Sequence, residues 1–84
     1  MKKQKILDQF PEEEFLFVDG MDDAIIGVSS KFIILYSADK IIEILMKDMS
    51  EIEAIEYFNF NIECAYMGEK TPIYVYDHLS DNFY

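Results

Sequence analysis

The chain has 84 residues, 51% of them hydrophobic, with 17 acids against 7 bases and a formal charge of −10. That length holds one domain, residues 1–84, and the apolar share is enough for a core, which argues against intrinsic disorder. The charge disfavours direct binding to nucleic acid or to an anionic membrane, because both are gripped mainly by lysine and arginine. All the bases are lysines, and there is one cysteine, Cys64, and one histidine, His78. These counts exclude an internal disulfide framework, a cysteine-built zinc site and a multi-histidine metal site. The start Met1-Lys2-Lys3-Gln4-Lys5 is basic, but only Ile6-Leu7 follows before Asp8, which is not a secretory leader. No apolar run approaches the ~18 residues of a membrane span. A soluble, cytoplasmic protein is the expectation.

Residues 1–9 are polar and without period, and read as a loose N-terminal arm ending at Phe10-Pro11. Glu14-Phe15-Leu16-Phe17-Val18 is aromatic and apolar, which favours a strand, and Asp19-Gly20 stops it. Residues 24–28 and 32–36 read as two further strands, joined by the short connector Ser29-Ser30-Lys31 in an antiparallel hairpin. The period then changes. Ile41, Ile42, Leu45, Met46 and Met49 recur at three- and four-residue steps, predicting an amphipathic helix capped by Ser37 or Asp39.

Ser50 with Glu53 three residues on is a capping box, opening a long helix. Ile52, Ile55, Phe58, Ile62, Ala65 and Tyr66 are taken as its buried face, with Cys64 inside or at the border. Asn59 and Asn61 are weak helix formers, so a bend is expected near Phe60. Gly68 is the stop, with Pro72 beyond it. Ile73-Tyr74-Val75-Tyr76 is a last strand, and residues 77–84 form an acidic, aromatic tail. The order βββααβ predicts an α+β domain: a three- or four-stranded, mainly antiparallel sheet with two helices packed on one face.

Few of these residues suit chemistry. Asp19, Asp22 and Asp23 bracket a turn but lack calcium-loop spacing. Cys64 has no base near it in sequence, and a nucleophile needs one. The three glycines are scattered singly, so there is no phosphate loop. No enzyme, cofactor or metal is expected. The acids are more informative. Residues 12–23 hold Glu12, Glu13, Glu14, Asp19, Asp22 and Asp23 without one base, and the last helix opens with Glu51, Glu53 and Glu56. Exposed tyrosines beside carboxylates make good interface chemistry, which singles out Tyr57, Tyr74 and Tyr76.

The stretch Glu53-Ala54-Ile55-Glu56-Tyr57-Phe58-Asn59-Phe60-Asn61, with Ala65-Tyr66-Met67-Gly68-Glu69-Lys70-Thr71-Pro72 after it, resembles a family of small acidic bacteriophage and prophage proteins. Their pattern runs E-A-x-E-Y-F-x-F-N, then A-Y-x-G-E-x-T-P. Asp22 to Val28 and Asp39 to Met46 fit it too, so the likeness covers about residues 15–76. The family has no established activity, and no site residue is carried over from it.

The resemblance implies a phage context, in which small acidic proteins often inhibit host defence, some by imitating the charge of DNA. The leading expectation is therefore a non-enzymatic, phage-type inhibitor in the host cytoplasm. It would bind a basic groove of a nuclease, a Cas effector or another nucleic-acid-binding protein. Glu12, Glu13, Glu14, Asp19, Asp22, Asp23, Glu51, Glu53 and Glu56 would stand where phosphates stand, and Tyr57, Tyr74 and Tyr76 would anchor. The alternative is a structural or homo-oligomeric module with apolar contacts. A metal- or nucleotide-binding domain is the third reading.

Overall fold

A computed structural model describes residues 2–78; Met1 and residues 79–84, most of the expected acidic tail, lie outside the described residues. The described residues form a small α+β fold with three α-helices and a three-stranded mixed sheet. In chain order these are α1 (Lys2–Gln9), a 3-10 turn (Asp22–Ala24), β1 (Ile25–Val28), β2 (Ile34–Ser37), α2 (Ala38–Leu45) and α3 (Glu51–Tyr57). A π-helix, Phe58–Glu63, continues α3, and β3 is Ile73–Val75. No helix among the described residues is long and apolar enough to cross a membrane.

Two expected elements change identity. The arm expected at residues 1–9 is helix α1. Lysine, glutamine and leucine are good helix formers, but only Ile6 is buried, so the segment lacks the apolar period that announces a helix. Its outer side is tied by Gln4 to Asp8 at 2.9 Å. Its inner side is held by Lys3, which sits 3.5 Å from Asp22 and 4.6 Å above the Phe17 ring. Residues 14–18 are outside any strand. They lie over the core, where Phe15, Phe17 and Val18 pack, and the Val18 amide donates to the Tyr36 hydroxyl at 2.8 Å rather than to a ladder.

The hairpin β1–β2 is antiparallel, as its short connector demands. Ile25 faces Tyr36 and Gly27 faces Leu35, so Ile26 is the extra residue of a β-bulge. The connecting turn places Phe32 at φ 63°, a backbone region costly for a bulky side chain. That conformation is held from outside: the Phe32 ring meets Phe10 edge-on at 5.2 Å, and Lys70 Nζ donates to the carbonyls of Lys31 and Phe32 at 3.3 Å.

β3 joins the free edge of β2 in parallel, pairing Tyr36 with Tyr74, so the sheet is mixed rather than mainly antiparallel. A parallel neighbour needs a crossover of a dozen or more residues, and residues 38–72, with both helices, supply it. Ser37 ends β2 and caps α2, its hydroxyl accepting from the Lys40 amide at 3.0 Å. α2 stops at Leu45, and Met46, expected on its inner face, is exposed.

The core is built on aromatic contacts between the sheet and the second helical stretch. Tyr36 stacks on Tyr74 at 5.9 Å, and Phe58 meets Tyr74 edge-on at 5.4 Å. Tyr36, Phe58, Ile34 and Ile41 are its largest fully buried side chains. The two tyrosine hydroxyls differ. That of Tyr36 takes the Val18 hydrogen bond, whereas that of Tyr74 is buried with no protein partner. Burial, with the Tyr36 and Glu63 charges adding to it, pushes the Tyr74 hydroxyl up to about 12.

Tyr36→Phe should therefore cost about 1–3 kcal/mol, since it strands a backbone donor, while Tyr74→Phe should be neutral or stabilising. Urea denaturation compares them; equal losses would contradict the difference. Because the folded Tyr74 pKa is raised, its neutral form contributes fully below the ordinary tyrosine value of 10.0 and is lost as pH rises toward about 12. Tyr74→Phe should flatten that alkaline loss.

Candidate functional site

α3 and its π-helical continuation place the acids that the fold leaves most open. Ser50 caps α3 in a full capping box: its hydroxyl accepts from the Glu53 amide at 3.2 Å, and Glu53 accepts from the Ser50 amide at 3.1 Å. Those bonds hold the Glu53 carboxyl below its ordinary value. The helix buries Ala54, Phe58 and Ile62, spaced by four; Phe58 and Ile62 join the core cluster, and α3 itself packs on α2. Ile52 and Ile55, expected inside, are instead exposed, Ile52 at 71% and Phe60 further along at 75%. The reason is the aromatic pin. Phe58 must meet Tyr74, and that fixes the rotation of the helix, turning Ile52 outward. Cys64, expected at the buried face, is exposed in the turn that follows the π-helix.

Two open grooves flank this ridge. One, of about 360 Å³, is lined by Met49, Glu53, Glu56, Tyr57, Phe60 and Asn61. The other, of about 280 Å³, is lined by Asp39, Ile42, Glu51, Ile55 and Tyr76. The structure thus gathers five predicted residues, Glu51, Glu53, Glu56, Tyr57 and Tyr76, around one helix. Residues 48–69 contain no lysine, so nothing in that stretch offsets its carboxylates.

The remaining candidates are spread elsewhere. Asp22 and Asp23 lie beside Lys2 and Ile25, where Asp22 is half-buried and paired with Lys3. Glu14 shares a groove with Glu69 and Lys70. Asp19 lines a further groove together with Asn61 and Tyr74. Glu12 is exposed and Glu13 half-buried in the bend after α1. Tyr74 is largely turned into the core, and its hydroxyl is not offered to solvent. Among the described residues no group of three or more His, Cys, Asp or Glu side chains could hold a metal ion.

Sequence reasoning missed Ile52, Ile55 and Phe60 as surface residues, and Asp39 as a groove residue. The available signal was a second apolar stripe, Ala54-Phe58-Ile62, in the same helix. Asp39 is further engaged by the start of the C-terminal segment. His78 places Nδ1 2.7 Å from its carboxylate and donates its backbone amide at 3.1 Å, while the Ser37 hydroxyl donates to Asp77 at 2.7 Å. Burial works to raise the Asp39 carboxyl, but the His78 hydrogen bonds and others beside them outweigh it and hold it below its ordinary value.

A depressed carboxylate stabilises the fold above its unfolded pKa, and that contribution fades as pH falls through the folded value. Asp39→Asn should therefore lower stability at neutral pH and remove part of the acid-side loss. Thermal melts from neutral to acid pH check it; parallel wild-type and variant curves would contradict it. Comparison with protein-family models, with curated proteins and with solved structures finds no match to this chain.

Proposed function

We propose that this protein is a non-enzymatic inhibitor, of the kind bacteriophages carry against host defence, that occupies a basic groove of a host nucleic-acid-handling protein. The observation that carries the reading is the state of the acids. The chain bears −10, yet among the described residues lysine bridges a carboxylate only at Lys3–Asp22 and Lys40–Glu43. Lys70, a third lysine, is committed to backbone carbonyls. Exposed carboxylates without counter-ions set up a field that draws in a cationic surface and raises its rate of encounter. Against lysines and arginines placed for a duplex, they substitute for phosphates that recur every ~1.7 Å of helix axis. The phage resemblance read in residues 15–76 is part of this proposal, and no family model matches the chain.

A second reading, a module that associates through apolar contacts, is favoured by the exposure of Ile52, Phe60 and Tyr66. The two readings differ in their response to salt, since exposed charge pairs are screened and apolar contacts are not.

The test is capture from bacterial lysate on immobilised protein, with washes of rising salt and with excess duplex DNA. A nucleic-acid-binding protein that leaves with salt, and that DNA displaces, is the expected result. Capture that survives both treatments, or capture of nothing but further copies of this chain, would contradict it.

A further inference from the structure

We infer that the α3 ridge is a docking surface for a cationic amphipathic helix, with Ile52 and Phe60 as apolar anchors and Glu51, Glu53 and Glu56 as the charged rim. The inference rests on the proposed function only in taking the partner to be basic. It differs in the contact: binding energy comes from desolvated apolar side chains, with the carboxylates setting orientation and partner choice.

The shape favours a helix. A helical ridge with a groove on either side is the surface that another helix packs against, ridge into groove. Glu53, Glu56, Tyr57 and Phe60 line one groove, and Glu51 and Ile55 line the other. Apolar and acidic side chains therefore alternate around the exposed half of the ridge. Ile52 and Phe60, both more than two-thirds exposed, stand with exposed Ile55 and Tyr57 on one helical stretch, a grouping rather than scattered single side chains. Large apolar groups ringed by charge are the usual anatomy of an interface, in which the anchors dominate and the rim excludes water.

Charge decides what covers the face. A second copy would bring its own base-free acidic stretch, residues 48–69, against this one, and like charges in contact oppose docking. Residues 79–84 offer Leu79, Phe83 and Tyr84, but they carry Asp81 and no lysine. A helix with leucine-like residues on one face and lysine or arginine along its flanks satisfies both the apolar anchors and the carboxylates.

The test is calorimetric titration of the full chain with a synthetic leucine–lysine peptide patterned as an amphipathic helix, beside a scrambled peptide of the same composition. The patterned peptide should bind at least about tenfold tighter. Phe60→Ser and Ile52→Ser should each weaken it by about tenfold or more, while Tyr66→Ser, at an exposed aromatic beyond the end of the helical ridge at Glu63, should leave it unchanged. Glu53→Gln with Glu56→Gln should weaken binding and flatten its salt dependence. Circular dichroism and urea midpoints confirm that each variant folds.

Equal binding of the scrambled peptide would overturn the inference, as would a Tyr66→Ser effect equal to that of Phe60→Ser. A chain lacking residues 79–84 that binds tenfold tighter would show that those residues occupy the face, and a dimer broken by Ile52→Ser would show a second copy there. Either would also overturn it. None of these outcomes bears on salt-sensitive, DNA-displaceable capture from lysate, so the two proposals fail separately.

Discussion

The contact of Phe58 with Tyr74, and of Tyr74 with Tyr36, is the constraint from which the rest of the arrangement follows. The three rings join the central strand β2, the edge strand β3 and the helix that crosses between them. A chain this short buries a smaller share of its surface than a large domain does, roughly 60%, so a few large side chains set the geometry. With Phe58 fixed, Ala54 one turn before it and Ile62 one turn after it face inward. The opposite side of the helix must face out, whatever its polarity. That is how a helix with isoleucines at 52 and 55 comes to show them to solvent. The π-helical turns from Phe58 to Glu63 lie beside the same pin, and wide turns of this kind recur at functional sites.

The charge distribution depends on the same packing. The lysines that contact other groups are spent on holding the chain together: Lys3 on Asp22 and the Phe17 ring, Lys70 on the turn after β1. None lies in the stretch that contains α3. The outward face of that helix therefore combines exposed apolar area with uncompensated negative charge. Either feature alone has an ordinary explanation, solubility for the acids and incidental exposure for the isoleucines. Together on one ridge between two grooves, they are the ground for the proposed docking of a basic partner with an apolar stripe.

What could be read from the sequence was mostly local. The Ser50–Glu53 box, the Ser37 cap and the β1–β2 hairpin each follow from a few neighbouring residues, whereas the helix ends at Glu63, short of the stop expected at Gly68. Gly68 sits at φ 100°, where glycine alone is at ease, and the adjoining turn is closed by Thr71, whose hydroxyl donates to the Gly68 carbonyl at 2.6 Å. What failed depended on distant partners. Nothing within residues 14–18 says that Val18 will bond a tyrosine hydroxyl instead of a neighbouring strand. Nothing local makes β3 parallel to β2. The face of α3 was ambiguous by pattern, because Ile52–Ile55 and Ala54–Phe58–Ile62 are both apolar stripes, and only Tyr74 decides between them. Of the candidate site, the acids and tyrosines of α3 were legible as residue types. Their union with Ile52 and Phe60 was not.

The most direct measurement is methyl-detected NMR of isoleucine-labelled protein in the presence of a soluble paramagnetic agent. Exposed methyls relax strongly and buried ones do not. The account predicts the largest effect at Ile52, an intermediate one at Ile55, and none at Ile34 or Ile41, which are fully buried. An Ile52 methyl as protected as that of Ile41 would mean that the helix face is already covered or turned inward, and would contradict the account.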